Sequence, residues 1–225
     1  MGAIRSGGFT PGDRLPPERE LAETLGVSRS TLRLALHDME RAGVVARRPG
    51  RGGGTFVAAA KVERDLGHFA GLGEYVRRQG RLGGSARVIG VALTLPPDPV
   101  AKALQLPPGA LIVAIDRVRF ADGTPIAVEH SSFPAERFPG LAEQALGGSL
   151  YDLLREEYRC PPVRAVEHIE AVAADPVVAD LLAVEPGSPL LAVERTAYAE
   201  GDLPVEHAGD LFRGDRTRVI AWTNP

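Results

Sequence analysis

Two stretches of this sequence gather residues that can do polar chemistry. In the first, Arg29, Ser30, Arg33 and His37 succeed one another at helical spacing. Arg29 and Arg33 are one turn apart, near the N-terminal end of the helix they share, where arginines can reach guanine edges in a major groove. Arg47, Arg48 and Arg51 follow, in or beside a run with glycines at 50, 52, 53 and 54, so the backbone there can approach a groove or a phosphate closely. The glycine run is not a nucleotide-binding loop. It ends Gly-Thr-Phe-Val and enters a strand, where such a loop requires Lys-Ser/Thr and a helix. In the second stretch, Arg117 and Arg119 alternate on one strand and share a face. Glu129 lies on the hairpin partner, and Glu206 is its mate in an internal repeat. Charges so placed either line a pocket for an anionic or polyhydroxyl ligand or make a cross-strand salt bridge.

Other chemistry finds little support. The histidines, His37, His68, His130, His168 and His207, show no metal-binding spacing. His130 and His207, which end the two repeat units, read as hydrogen-bonded sheet residues rather than ligands. No Gly-x-Ser-x-Gly elbow is present. Cys160 is the single cysteine and precedes two prolines, which excludes an intrachain disulfide and fits a reducing cytoplasm. No catalytic residue, metal or cofactor is expected.

The elements that must position these residues are legible. Pro16 and Pro17 suit a first helical turn, Glu18 to Leu25 read as a short helix, and Gly26 ends it. Ser28 is a good N-cap for a second helix running to about Ala42, with Leu32, Ala35, Leu36 and Met39 as its apolar stripe. Two helices joined by a tight turn have helix-turn-helix spacing. Val44 to Ala46 and Thr55 to Val57 flank the glycine loop as a hairpin wing. Residues 59–80 read as a linker, with one or two helical turns at Glu74 to Arg78. The body carries a repeat. DPVAKALQLPPGALIVAIDRVRFADGTPIAVEH begins at Asp98, and DPVVADLLAVEPGSPLLAVERTAYAEGDLPVEH begins at Asp175. Each copy reads as a helix capped at Asp-Pro-Val, a strand, an acid-Gly hairpin and a second strand. Two such units predict an antiparallel sheet with pseudo-twofold symmetry and helices on one face, an α+β body. Ser149 to Glu157 form a further amphipathic helix between them.

Composition fits this division. The chain has 225 residues, 44% hydrophobic and 24% charged, enough for a packed core. No run of 18 apolar residues exists to span a membrane, and the first residues hold no secretory core. The net charge is −3, but residues 1–60 carry nine arginines against six acids, whereas residues 61–225 carry 17 basic against 23 acidic residues. A basic head on an acidic body points the head at a polyanion.

The stretch LPPERELAETLGVSRSTLRLALHDMERAGVVARRPGRGGGTFV resembles the winged helix-turn-helix of GntR-type bacterial transcription regulators. ADGTPIAVEHSSFPAERFPGL, GSLYDLL and PGSPLLAVERTAY resemble the UTRA effector domain of the HutC branch. The resemblance implies a DNA-binding domain at 1–58, a linker at 59–80, and at 81–225 an effector-binding and dimerisation domain of chorismate lyase-like fold. It implies a cytoplasmic homodimer, usually a repressor, on a double-stranded operator with an inverted repeat, released by a small-molecule effector and without membrane association. The family's DNA contacts fall on Arg19, Arg29, Ser30, Thr31 and Arg33, and the wing contact falls near Arg51 and Gly52, beside Arg48. Effector contacts fall on Arg117, Arg119, Glu129, Ser149, Tyr151, Glu206 and Phe212. The alternatives are a metabolite-binding protein whose head no longer binds DNA and a lyase using Arg117, Arg119 and Glu129.

The chain departs from the pattern in four places. Only MGAIRSGG precedes Phe9, so the first helix of the head is expected to be truncated. The wing is two residues longer than usual. Gly71-Leu72-Gly73 stands where relatives supply hydroxyls to a ligand phosphate. Phe212 replaces a tyrosine. The last two favour a carboxylate or neutral polyol over a tightly held phosphate.

Overall fold

The structure, a computed structural model, describes residues 8–9, 12–41, 44–48, 50, 53–58, 61–67, 70–79 and 83–223. The expected truncated first helix falls on residues outside this set. The chain divides into two compact units, Met1–Lys61 and Val62–Pro225.

In the first unit, α1 (Glu18–Leu25) ends at Gly26, whose φ of 64° places it in the left-handed region. The amide of Val27 then donates to the carbonyl of Ala22 at 3.1 Å, the closure that a helix-ending glycine permits. The Ser28 hydroxyl accepts from the Thr31 amide at 3.1 Å and starts α2 (Arg29–Arg41). Leu32 and Leu36 from the predicted stripe are buried with Leu15, Ala22, Val45 and Val57, and Met39 packs at the edge. Ala35 is exposed, because the buried arc of α2 is narrow and centred on Leu32 and Leu36. The wing strands β1 (Val45–Arg48) and β2 (Gly54–Val57) pair antiparallel, with Val45 opposite Val57 and Arg48 opposite Gly54. A segment not anticipated from sequence lines β2: Leu15 donates to Thr55 O at 2.7 Å and Val57 donates to Asp13 O at 2.8 Å.

In the second unit the predicted linker at 59–80 is largely structured. It contains β3 (Val62–Asp65) and α3 (Leu72–Arg78). Val62, Leu72, Tyr75 and Val76 are buried against Ile126, Ala127 and Phe212. A four-residue strand and a seven-residue helix are too short to show a period, which is why the segment reads as a linker. The main sheet has six antiparallel strands in the order β4 (Gly83–Thr94), β5 (Ile112–Ala121), β6 (Thr124–Pro134), β9 (Leu203–Arg213), β8 (Pro189–Ala199) and β7 (Arg164–Ala173). A short β10 (Thr217–Ile220) pairs in parallel with β3. Each half of the sheet is strand, helix, strand, strand, with α4 (Asp98–Ala103) in the first half and α6 (Pro176–Leu182) in the second. Asp175 caps α6 by accepting from Val178 N at 2.8 Å, whereas Asp98 lies inside α4, which has no side-chain cap and buries no residue.

The helices do not lie on one face, as the repeat had suggested. Leu150 and Leu154 of α5 (Leu150–Glu156) pack with Val113, Ile115 and Phe133. Val178, Ala179 and Leu182 of α6 pack with Val118 and Val128. Strand side chains alternate, so these clusters occupy opposite faces. The hairpins also differ. β5 and β6 join through Asp122-Gly123, both at positive φ, while β8 and β9 join through a three-residue turn, Glu200–Asp202. This extra residue, where the Val-Glu-His match implies one fewer, moves the register by two. Glu129 sits opposite Arg117, but Glu206 sits opposite Ala197, two rungs from the position its Val-Glu-His match implies.

Candidate functional site

Two places carry the polar residues singled out above. On α2, Arg29, Ser30, Thr31 and Arg33 are all exposed while Leu32 and Leu36 hold the opposite side in the core. The Ser28 hydroxyl lies 2.8 Å from both the Ser30 and the Thr31 hydroxyls, fixing the start of the helix. The ion pairs around this face are loose: Arg33 to Glu18 at 3.4 Å, Arg19 to Glu23 at 3.8 Å, and Arg47 to Glu18 and Glu40 at 3.6 and 3.7 Å. Exposed pairs of this kind contribute about 0–1 kcal/mol, so a phosphate or base edge can displace them. The side chain of Arg48, and Arg51 and Gly52 as a whole, lie outside the described residues.

The second place is a cleft on the α3 and α5 side of the sheet. All seven residues predicted to contact an effector line it: Arg117, Arg119, Glu129, Ser149, Tyr151, Glu206 and Phe212. So do Gly71, Leu72 and Gly73. Four polar residues that the sequence reading had not assigned, Arg64, Ser131, Arg195 and Asp210, complete the wall. The cavity measures about 30 Å³, room for a water molecule or two.

The charges are organised by strand pairing. Arg117 donates to Glu129 at 2.6 Å and to the carbonyls of Leu146 and Gly148, both at 3.0 Å. Its terminal nitrogens are therefore spent on holding the 146–148 loop. Arg119 lies 3.4 Å from the Gly148 carbonyl and 3.8 Å from Glu129. Arg195 sits among carboxylates: Asp210 at 2.9 Å, Glu206 at 3.4 Å and Glu167 at 3.6 Å. Arg64 donates to Glu167 at 2.7 Å. Tyr151 donates to Glu206 at 2.6 Å. Ser149 caps α5, accepting from Asp152 N at 3.2 Å, and its hydroxyl donates in turn to the Asp152 carboxylate.

Burial tunes these groups. It works against the charge of Glu129, but Arg117 and Arg119 outweigh it and hold that carboxyl below its ordinary value. Asp210 behaves oppositely: burial, with Glu129 and Glu206 nearby, pushes it up to about 6 against the pull of Arg195. Burial, with Glu206 and Asp210 adding to it, raises Tyr151 well above its usual value, so it stays a donor. Three buried atoms on the wall, Arg64 Nη1, Arg117 Nε and Asp210 Oδ1, have no hydrogen-bond partner among the described residues. Such atoms are costly unless something satisfies them.

Two of the unassigned residues had a usable signal. Arg195 is the counterpart of Arg117 in the Asp/Glu-Arg pair of the repeat, and Asp210 lies four residues beyond Glu206 on one strand, hence on the same face. Arg64 had none. On the opposite face, His130 bonds Asp116 at 2.6 Å and His207 bonds Thr196 at 3.1 Å.

Comparison with known proteins places both regions. The family model described as bacterial regulatory proteins, gntR family, matches residues 2–57, and the UTRA domain model matches residues 81–218. The chain is 35% identical to the HTH-type transcriptional repressor NagR of Bacillus subtilis over 219 residues, 97% of this chain and 89% of that protein. It is also 35% identical to the HTH-type transcriptional repressor PhnF of Mycolicibacterium smegmatis over 217 residues, 95% of this chain and 86% of that one. The crystal structure of PhnF from Mycobacterium smegmatis superposes with a TM-score of 0.75 at 31% identity, covering 96% of this chain and 94% of that chain.

Proposed function

Because the chain belongs to the GntR family of bacterial regulatory proteins, in the HutC branch whose body is a UTRA domain, and is a transcriptional regulator, we propose that it represses transcription as a cytoplasmic homodimer on an inverted-repeat operator. The observation that carries this reading is the exposed polar face of α2 at Arg29, Ser30, Thr31 and Arg33, held outward by buried Leu32 and Leu36. In it, Arg29 and Arg33 read bases, with Ser30, Thr31 and Arg19 on the flanking backbone and Arg48, Arg51 and Gly52 of the wing on phosphate or groove.

The body answers a small polar metabolite. Arg119 binds its acidic group, and Glu129, Glu206, Ser149 and Tyr151 bind hydroxyls. Arg117 shapes the floor, and Phe212 packs against the ligand. A relative named as a probable fructoselysine utilization operon transcriptional repressor of Escherichia coli, 31% identical over 210 residues, supports a metabolite effector in general, but the hydroxyl-free Gly71–Gly73 segment favours a carboxylate or polyol here. Arrival of the ligand reorders the cleft walls and weakens operator binding.

Fluorescence anisotropy on the promoter-proximal palindrome tests the DNA reading. Arg29→Ala and Arg33→Ala each cost about 1–3 kcal/mol on the operator, while Arg48→Ala weakens operator and random DNA alike and lowers the salt slope by about one. Equal losses on operator and random DNA for Arg29→Ala overturn base reading by α2.

A further inference from the structure

We propose that Arg64 is an oxyanion-binding residue of the cleft, taking a carboxylate or phosphoryl group of the effector on its inward guanidinium edge. The proposal rests on the reading of this cleft as the effector site and names a contact which that reading does not contain.

Arg64 stands on β3, where alternation turns Val62 and Arg64 inward and Glu63 and Asp65 outward. Val62 is fully buried in an apolar cluster, as a strand of this kind requires. Arg64 is just as enclosed, with 4% of its side chain exposed. A buried guanidinium is costly unless paired and hydrogen-bonded. Among the described residues its pairing is thin. Nη2 donates to Glu167 at 2.7 Å, and the guanidinium carbon lies 5.0 Å from the Phe212 ring and 6.0 Å from the Tyr75 ring. Glu167 is itself shared with Arg195 at 3.6 Å. Nη1 is buried with no hydrogen-bond partner among the described residues, and Arg64 is one of the residues that line the cleft. A core role would be served by an apolar residue, so the fold has no use for this unspent donor. An oxyanion has: it accepts the free N–H and supplies the charge that half of Glu167 does not. The same wall includes Gly71 and Gly73, which bring no side-chain donor. Arg64 supplies a fixed positive charge there without them.

The test uses the full-length protein and a thermal-shift and calorimetric panel of sugar acids, sugar phosphates, amino acids and dicarboxylates, each beside its neutral analogue. Wild type, Arg119→Ala, Arg64→Met, Arg64→Lys and Glu167→Gln are compared. The strongest hit should be an oxyanion, and Arg64→Met should weaken it about 10- to 100-fold, the loss of a charged hydrogen bond, while leaving its neutral analogue unchanged. Arg64→Lys should recover part of that loss. Glu167→Gln should tighten the oxyanion, since it removes the competing carboxylate, and this variant together with Arg64→Lys decides the matter if Arg64→Met does not fold. Carboxylate and phosphoryl members of the panel separate the two sources. A hit abolished by Arg119→Ala but indifferent to Arg64→Met and Arg64→Lys overturns Arg64 and leaves the cleft standing, as does a strongest hit that is neutral or cationic. A wild type stabilised by no member of the panel overturns the cleft and Arg64 together.

Discussion

The two halves of the body share a skeleton rung for rung and differ in charge. Both hairpins carry their irregularity at the same place, after Arg119 in β5 and after Ala197 in β8. Counting from there, the Arg119–Ala127 rung matches Ala197–Glu206, Arg117–Glu129 matches Arg195–Ala208, and Ile115–Ser131 matches Val193–Asp210. On these rungs the first half holds two arginines and one carboxylate, and the second holds one arginine and two carboxylates. Duplicated backbone has thus been kept while the side chains on these rungs diverged in charge. The apolar rung beyond these, Val113–Phe133 against Leu191–Phe212, is nearly unchanged, because packing constrains it in both halves.

The largest expected effect separates the two arginines of the matched rung. Arg195→Ala leaves Asp210 and Glu206 without the cation that pairs them and should cost about 3–5 kcal/mol. Arg117→Ala leaves a single carboxylate that still has Arg119, and should cost clearly less. Denaturant midpoints at unchanged slope measure both, and equal losses would erase the distinction between the halves.

Next come the two carboxylates with opposite shifts. Asp210 is raised to about 6 in the fold, so the native state takes up its proton more readily than the unfolded chain, and stability from this group falls as pH rises from about 4 to 6. Asp210→Asn should therefore stabilise the body above pH 6, by on the order of 1–3 kcal/mol, and change little at pH 4. Glu129 is lowered, so its contribution is present above the ordinary glutamate range and lost in acid. Glu129→Gln should destabilise at neutral pH and less so as the pH falls. Urea unfolding at several pH values reads both, and the same sign for the two variants at pH 7 would contradict the charge asymmetry.

A third prediction concerns occupancy. At 100 times its dissociation constant an effector should stabilise the body by about 2.7 kcal/mol, and Arg119→Ala should abolish most of that shift at the same concentration. A shift that survives both Arg119→Ala and Glu129→Ala makes these residues structural ion pairs and no more. The smallest effect is expected on the other face. Asp116 and His130 are about half exposed although 2.6 Å apart, and His130→Ala should change stability by less than about 0.5 kcal/mol, checked by thermal melting.

Much of the local structure was legible in the residues. Helix ends marked by Gly26 and Ser28, the wing, the Asp122-Gly123 turn and the existence of the repeat could be read because each depends on neighbours within a few residues. The placement of Arg117, Arg119 and Glu129 on one face followed from alternation alone. The register of Glu206 did not: matching the Val-Glu-His triplets implies one residue fewer in the second hairpin, whereas its turn holds one more, and together these displace the pairing by two. Helices on both faces were missed because the repeat constrains connectivity and not the side on which a crossover lies. Arg64 was hidden most deeply: its strand is four residues long, lies in a stretch without periodicity, and finds its partner β10 about 155 residues away, a pairing no local signal announces.

That pairing has a mechanical side. β3 is held to β10 by parallel rungs, with Val62 donating to Arg216 O at 2.7 Å and Leu66 to Ile220 O at 2.8 Å. β3 is the segment through which the second unit is joined to Lys61, and four rungs hold it. The first strand of the unit is thereby moored by the last. Clipping the chain before Thr217 would cut that mooring and free the segment that carries Arg64, although it would remove no residue that lines the cleft.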